Sequence, residues 1–193
     1  MSLPSKIRAL RIQTPRLILR PLGPEFAPQV LDYHHRNRAC FKPWNPRVGT
    51  KFFTQEFHRQ RLENELQESQ AGRLLRLSIF EAQDQNFERV IGHLSLSNIV
   101  WGAFRSCFLG YAIDQQVQGK GYMTEALGAT VELAFAHFKL HRLEANIMPR
   151  NQASIRVVEK LGFECEGLSP KYLKINGVWE DHLHYVLRNG MLE

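Results

Sequence analysis

The sequence predicts a fold of the α+β class, a mixed α/β sandwich with a central sheet of about seven strands and helices on both faces. Three observations predict it. The β-leaning segments and helical patterns follow the order strand, two helices, three strands, helix, strand, helix, two strands, which is not the alternation of a doubly wound parallel fold. Asn176-Gly177 lies between two long β-leaning runs and is the strongest short hairpin signal in the chain. A Gly-containing turn, Gln118–Gly121, separates an apolar strand from a strongly periodic helix.

The elements follow in order. Arg16–Leu22 is short, apolar and β-leaning, with Pro21 helping to end it. Pro24–Arg38 reads as a first helix, and Phe41–Pro46 (FKPWNP) as a loop, because two prolines flank an aromatic. Thr54 opens a helix over 54–69, with Phe57, Leu62 and Leu66 as inward positions. Arg73–Phe80 and Val90–Leu96 are strands joined by a polar turn, and Cys107–Ile113 is a further apolar strand. After the Gly-containing turn, Leu127, Val131, Ala134, Phe135 and Phe138 mark one face of a single helix. Arg142–Met148 is a strand, Asn151–Leu161 a helix stopped by Gly162, and Phe163–Ile175 and Val178–Leu187 the final hairpin.

No linker, repeat or low-complexity tract divides the 193 residues, so we read one domain over 1–193 with a core of about 16–187. Three widely spaced cysteines, Cys40, Cys107 and Cys165, argue against a disulfide framework and for a reducing, cytoplasmic setting. The first 17 residues are punctuated by Lys6, Arg8, Arg11 and Arg16, and contain no apolar run suited to a leader or a membrane span, so no membrane partner is expected. The net charge of +6 suits either an anionic partner or a solubility surface, since the basic residues are scattered. Direct DNA binding is not expected. His34-His35 and His182-x-His184 lack further ligands at fitting spacing, so no metal site is expected and these are read as surface or core histidines.

Chemistry concentrates at Gln118-Gly119-Lys120-Gly121-Tyr122-Met123. Strand, Gly-rich turn, helix is the physical recipe for a phosphate site. Glycines let backbone approach closely, and the first helical turn leaves N–H groups free for an anion. The turn lacks both G-x-x-x-x-G-K-[ST] and G-x-G-x-x-G, which excludes a Walker loop and disfavours a dinucleotide site.

Gln118-x-x-Gly121-x-Met123 resembles the Q/R-x-x-G-x-G/A signature of the GCN5-related N-acetyltransferase (GNAT) family. A second block, Asn151-Gln152-Ala153-Ser154 with Lys160-Leu161-Gly162-Phe163, falls at the family's separation, and the element order matches from Arg16 to about Leu187. Phe41–Pro46, Leu109-Gly110-Tyr111, His141-Arg142 and Asn176-Gly177-x-Trp179-x-Asp181-His182 narrow the resemblance to ribosomal-protein-alanine N-acetyltransferases of the RimJ/RimL type, nearer to RimJ. Met123 departs from the wider signature but agrees with the Rim type.

The resemblance implies a GNAT fold, with the sheet splayed in its middle, and acetyl-CoA as cofactor. The N–H groups of Gly119, Lys120, Gly121, Tyr122, Met123 and Thr124, with Gln118 at the head of the signature, would hold the pyrophosphate. Tyr111 and Ile113 would pair their backbone with the pantetheine arm, as a strand adds to a sheet edge. Asn151 would cap its helix and bond the coenzyme; Ser154 is either a helix-start hydroxyl or the general acid toward the leaving thiolate. Phe41 and Trp44, with Pro43 and Pro46, would wall the acceptor site, or Trp44 packs inward.

The position of the glutamate base of RimL-type enzymes falls on Leu173, so the base does not transfer by analogy. Glu144 and Asp181 are the carboxylates to test as base, each otherwise a solvated or ion-paired strand residue. The acceptor implied is a protein N-terminal amine, with a ribosomal protein leading. The alternatives are a polyamine, antibiotic or amino-acid acetyltransferase, and a non-catalytic basic ribosome-binding module with the same fold. Direct transfer is expected without an acyl-enzyme, because no Cys or Ser is expected beside a plausible His partner.

Overall fold

The computed structural model describes residues 7–193; the first six residues, part of the stretch read above as carrying no leader, lie outside the described residues. Eight strands form one sheet in the order β1-β2-β3-β4-β5-β6-β8-β7. They are β1 (Ile12–Gln13), β2 (Leu17–Arg20), β3 (Leu74–Glu81), β4 (Gly92–Val100), β5 (Ser106–Ile113), β6 (Arg142–Ile147), β7 (Glu164–Ile175) and β8 (Val178–Arg188). The two-residue β1, too short to leave a sequence pattern, is the strand beyond the seven expected. Every neighbouring pair is antiparallel except β5–β6. No helix among the described residues is long and apolar enough to cross a membrane.

Helices cover both faces, as the sequence predicts. On one face α4 (Tyr122–Glu132) and α5 (Gln152–Lys160) close the larger core, with Leu77, Leu94, Leu109, Leu127, Leu143 and Val158 buried together. On the other, α1 (Ala27–Arg36) and α3 (Gln55–Gln70) close a smaller one around Tyr33, Leu62, Phe80 and Val90. Asn176 (φ 45°) and Gly177 (φ 91°) both take positive φ, the conformation a tight hairpin needs and that this pair tolerates best.

Three local expectations change. The helix expected over 24–38 begins as a 3-10 turn (Pro24–Phe26), runs as α1 and breaks at Asn37. There the Asn37 amide donates to Tyr33 C=O (2.9 Å) while its oxygen accepts from Gln115 N–H (2.9 Å), so the side chain competes with the helix ladder. A short α2 (Arg38–Phe41) and a 3-10 turn (Lys42–Trp44) then occupy the start of the expected loop. Phe57 is exposed rather than inward. It lies in the first turn of α3, capped by Thr54, and packs edge-on to His58, which takes the buried place. The long helix after Gly121 widens into a π-turn over Leu133–His137, marked by a Phe138 N–H to Leu133 C=O bond (3.2 Å).

The smaller core encloses charge-poor histidines. His34 and His58 stack at 5.0 Å between α1 and α3. Burial, then the neighbouring Arg61, pulls His34 down to about 2 and His58 to about 4. Both groups bind a proton more weakly folded than unfolded, so their contribution to stability is complete above the ordinary imidazole value of about 6.5 and is lost as pH falls toward the folded values. The expected loss is about 1.4 kcal/mol per pH unit for each, on the order of 3 kcal/mol between pH 7 and pH 5. Urea midpoints across that range check it; a flat profile, or one unchanged by His58→Leu, would contradict the assignment.

Candidate active site

The Gly-rich turn is braced from both sides before it meets α4. Asp114 is fully buried at the end of β5 and ion-paired to Arg36 of α1. Arg36 also donates to Val90 C=O (2.9 Å), and the Asp114 side chain caps the 3-10 turn Gln115–Val117 by accepting from Gln116 N–H (3.0 Å). Gly119 and Gly121 both sit at φ 77°, the left-handed region in which a Cβ is strained. From outside, Arg16 donates to Lys120 C=O (2.9 Å) and pairs with Glu125 (2.6 Å), while its guanidinium lies over the Tyr122 ring (4.8 Å). Glu125 also accepts from Thr14 Oγ (2.6 Å) and Arg16 N–H (3.0 Å). Although burial opposes its charge, these bonds hold its carboxyl below the usual range.

The first bond of the α4 ladder runs from Glu125 N–H to Gly121 C=O (3.1 Å). The N–H groups of Tyr122, Met123 and Thr124 therefore precede the ladder and, with Gly119, Lys120 and Gly121, sit at the positive end of the helix, an arrangement that suits a phosphate. Met123 is buried, which explains a long apolar residue where a small one is common in the signature. Gln118 turns its amide toward Cys40 Sγ (3.6 Å), so its side chain faces α2.

Beside this turn the sheet opens. β5 and β6 pair only through Ser106–Arg142, Cys107–Leu143 and Phe108–Glu144. From Leu109 to Ile113, including Tyr111 and Ile113, that edge of β5 has no strand partner among the described residues, and an extended chain can add to it. At the opening, Tyr111 meets the first turn of α5. Ser154 Oγ donates to Tyr111 Oη (2.6 Å), and Tyr111 donates to Ser154 C=O (3.1 Å). Burial pushes the Tyr111 hydroxyl up to about 12. Asn151 caps α5 by accepting from Ser154 N–H (3.2 Å).

An anion cradle at a helix start beside an unpaired strand edge is the layout of one acetyltransferase fold, and residues 16–164 match the acetyltransferase (GNAT) domain. The chain belongs to the GNAT family. It is 40% identical to the probable N-acetyltransferase YjcK of Bacillus subtilis, over 86% of this chain and 90% of that protein. It is 35% identical to the [ribosomal protein uS5]-alanine N-acetyltransferase of Escherichia coli, over 93% of this chain and 91% of that protein. Among solved structures it superposes on the ribosomal-protein-S5-alanine acetyltransferase of Vibrio fischeri with a TM-score of 0.89, at 33% identity over 95% and 99% of the two chains. Mycobacterium smegmatis RimJ, solved in complex with CoA-disulfide, superposes with a TM-score of 0.84 at 28% identity, over 91% and 83%. The GNAT fold expected from the motifs is the fold observed.

In this GNAT protein the face opposite α4 and α5 is left open beyond the reach of α1 and α3. Phe108 of β5 is 36% exposed there. One wall of that open face is the segment of Phe41 and Trp44. Phe41 is half-buried against the Tyr33 ring (5.4 Å). Trp44 is half-buried under the Arg150 guanidinium (5.0 Å), which also donates to Pro43 C=O (3.2 Å) and to Glu180 (2.7 Å). Asn45 C=O accepts from Asn176 N–H (3.0 Å) and Arg47 donates to Asn176 C=O (2.9 Å), tying the segment to the β7–β8 hairpin.

The two candidate carboxylates are both engaged. Asp181 accepts from Lys171 N–H (2.7 Å) and pins a bulge in β7, where Lys171 takes φ 50°. Glu144 is bound by Arg142 (3.0 Å) and His184 Nδ1 (2.9 Å). Burial opposes its charge, but these bonds hold its carboxyl below the usual range. Leu173, where the RimL-type glutamate would fall, faces Glu180 across the hairpin. One expectation is overturned: a Ser does stand beside a His, because Ser169 Oγ lies 2.7 Å from His184 Nε2. The strand register brings them together across β7 and β8, and their separation in sequence hides it. His184 was read as a bland surface or core residue, although its place in His182-x-His184 put both rings on one face of a strand. Arg16, Glu125 and Arg150 also escaped the sequence reading.

Gly119→Ala and Gly121→Ala should each cost about 1–2 kcal/mol, because both place a Cβ at φ 77° while no backbone atom crowds either position. Urea unfolding of the two variants checks this; losses of only a few tenths would mean that the turn relaxes without needing left-handed residues.

Proposed function

We propose that this protein transfers an acetyl group from acetyl-CoA to the N-terminal α-amine of a protein, with a ribosomal protein as acceptor. The cradle at Gly119–Thr124 next to the unpaired β5 edge carries the cofactor reading, because the pyrophosphate and the extended pantetheine arm of coenzyme A need those two features side by side. Relatives of similar length that are named for alanine acetylation of a ribosomal protein support the acceptor. So does the tie of Trp44, Pro43 and Asn45 to Arg150 and the β7–β8 hairpin, which fixes that segment beside the open face.

The pantetheine arm adds to β5 at Tyr111 and Ile113, and a β5 N–H polarises the thioester carbonyl. The amine attacks that carbonyl directly; the C–N bond forms, the C–S bond breaks, and the thiolate leaves toward α5. There the Ser154 hydroxyl, held by Tyr111, supplies a proton as general acid. Asn151 fixes the start of α5 and so the position of Ser154. An α-amine is about a tenth neutral at pH 7, which makes it a more ready nucleophile than a lysine.

Coenzyme A at about 100 times its dissociation constant should stabilise the protein by roughly 2.7 kcal/mol, read as a thermal shift. Gly121→Asp should abolish the shift by placing a carboxylate against the pyrophosphate; a full shift in the variant would move the cradle elsewhere. Peptides beginning with Ala should be acetylated faster than free lysine, spermidine or an aminoglycoside. Faster turnover of any of those amines than of every peptide would replace the acceptor assignment and leave the acetyltransferase. Ser154→Ala should lower kcat by about 10²-fold or somewhat less, since a thiolate is a fair leaving group, with little change in coenzyme affinity. An unchanged kcat would leave Ser154 a helix-start residue.

A further inference from the structure

On the open face of the sheet, three side chains from three strands form a directed chain. Glu144 (β6) meets His184 Nδ1 (β8) at 2.9 Å, and His184 Nε2 meets Ser169 Oγ (β7) at 2.7 Å. Its polarity is fixed from the Glu144 end. Arg142, itself held by both oxygens of Glu166 (2.9 and 2.7 Å), binds the second oxygen of Glu144 (3.0 Å). A carboxylate so held can only accept, so Nδ1 carries the imidazole proton and Nε2 presents a lone pair. Ser169 then donates its hydroxyl proton to Nε2, and its own oxygen is left as an acceptor.

The chain is built into the fold at the point where the sheet opens. Glu144 is the β6 member of the last β5–β6 pair. His184 lies opposite Asn146, two residues further along β6, where the strands have parted. Ser169 is the last paired residue before the β7 bulge that Asp181 pins, so the bulge sets its aim. The Tyr172 ring stands edge-on to His184 at 5.0 Å, fixing the imidazole plane, and lies tilted against His182 at 5.5 Å. Asn146 Oδ1 is buried and has no hydrogen-bond partner among the described residues, a second free acceptor beside the chain. The charged and titratable groups around His184 are thus Glu144 and Arg142 on β6, Glu166 and Tyr172 on β7, and His182 on β8.

We propose that Ser169, His184 and Glu144 form a proton relay that takes the proton released by the acceptor amine during acetyl transfer. The proposal rests on the acetyltransferase reading above but holds for any amine acceptor. As the amine nitrogen bonds to the acetyl carbon, its proton passes to Ser169 Oγ, and the Ser169 proton passes to His184 Nε2. The resulting imidazolium is paired with Glu144, which stays ionised and acts as a positioning residue. The C–S electrons leave with the thiolate, whose proton comes from the Ser154 side. Deprotonated His184 is restored by solvent, to which its side chain is 20% exposed.

The test uses whichever amine the protein acetylates fastest, with kcat followed from pH 6 to pH 9.5. Ser169→Ala and His184→Gln should each lower kcat at pH 7 by about 10²-fold, with coenzyme A affinity unchanged, and the deficit should shrink to a few-fold at pH 9.5, where hydroxide takes the proton that nitrogen loses on bonding to the acetyl carbon. Glu144→Gln should show the same pattern, because it permits the wrong tautomer. A kcat within twofold of wild type at pH 7, or an equal loss at every pH, would overturn the relay. So would an acetyl group found on Ser169 by mass spectrometry after incubation with acetyl-CoA alone, which would make Ser169 a nucleophile. Nitrogen-15 NMR of wild-type His184 keeps the proposal testable if a variant fails to fold or no amine in the panel is acetylated. The Nδ1–H tautomer at neutral pH is expected, and the Nε2–H tautomer would refute it. Failure of peptides as acceptors, with small amines acetylated through an intact relay, would overturn only the acceptor reading.

Discussion

Three residue pairs hold the two halves of this sheet together. Among the described residues β5 and β6 are the only parallel neighbours, and they pair only from Ser106 to Phe108. Beyond Phe108 the strands part, and the backbone edge of β5 is left to be satisfied by something other than protein. An unpaired strand edge is ordinarily a liability. Here the site is assembled around it. The Gly-rich turn follows directly from the open end of β5, Tyr111 and Ser154 stand on one side of the opening, and Glu144 sits at its apex. The opening survives because each half is anchored elsewhere: β5 to β4 along its whole length, and β6 to β8 over six pairs.

The turn needs comparable support, since two glycines that are free to take many conformations lose that entropy when both are fixed at φ 77°. Arg36 and Arg16 supply it from opposite directions. The first ties the buried Asp114 to α1, the second ties Lys120 C=O to Glu125 in the first turn of α4. Both arginines use charge-assisted bonds, the stronger kind, and both are held by carboxylates rather than left free for an anion. What the turn offers a phosphate is therefore backbone N–H groups and a helix start, whose geometry does not depend on mobile side chains.

What the sequence disclosed and what it concealed divide along one physical line. The turn, the Asn151 cap, the Asn176-Gly177 hairpin and the order of the elements are local, encoded by residues within a few positions of one another, and all were legible. The family resemblance rested on such local signals and on the spacing between two of them. The arrangement of Ser169, His184 and Glu144 is not local. It joins three strands through a register set by a bulge, and a shift of one residue in β7 would turn Ser169 to the other face. Asp181 shows the same limit: its charge attracted a catalytic reading, whereas its carboxylate meets a backbone N–H ten residues away. Phe57 failed for a different reason: it stands five residues before Leu62, off the stripe of a 3.6-residue helix, whereas His58, four before Leu62, falls on the buried face.

The two faces of the sheet also separate two proton movements that one group would serve poorly. Acetyl transfer releases a proton from the amine and delivers one to the thiolate, and a single residue near both would have to be basic and acidic in the same step. On the α5 face the sheet presents the Ser154 hydroxyl bonded to Tyr111, whose own hydroxyl burial pushes up. On the open face it presents an imidazole beside a carboxylate whose charge burial opposes but that His184 and Arg142 hold below the usual range. Environments that push acid and base apart are how one site runs both directions of proton transfer near neutral pH. The sheet itself, opened by the divergence of β5 and β6, presents the two sets on its opposite faces.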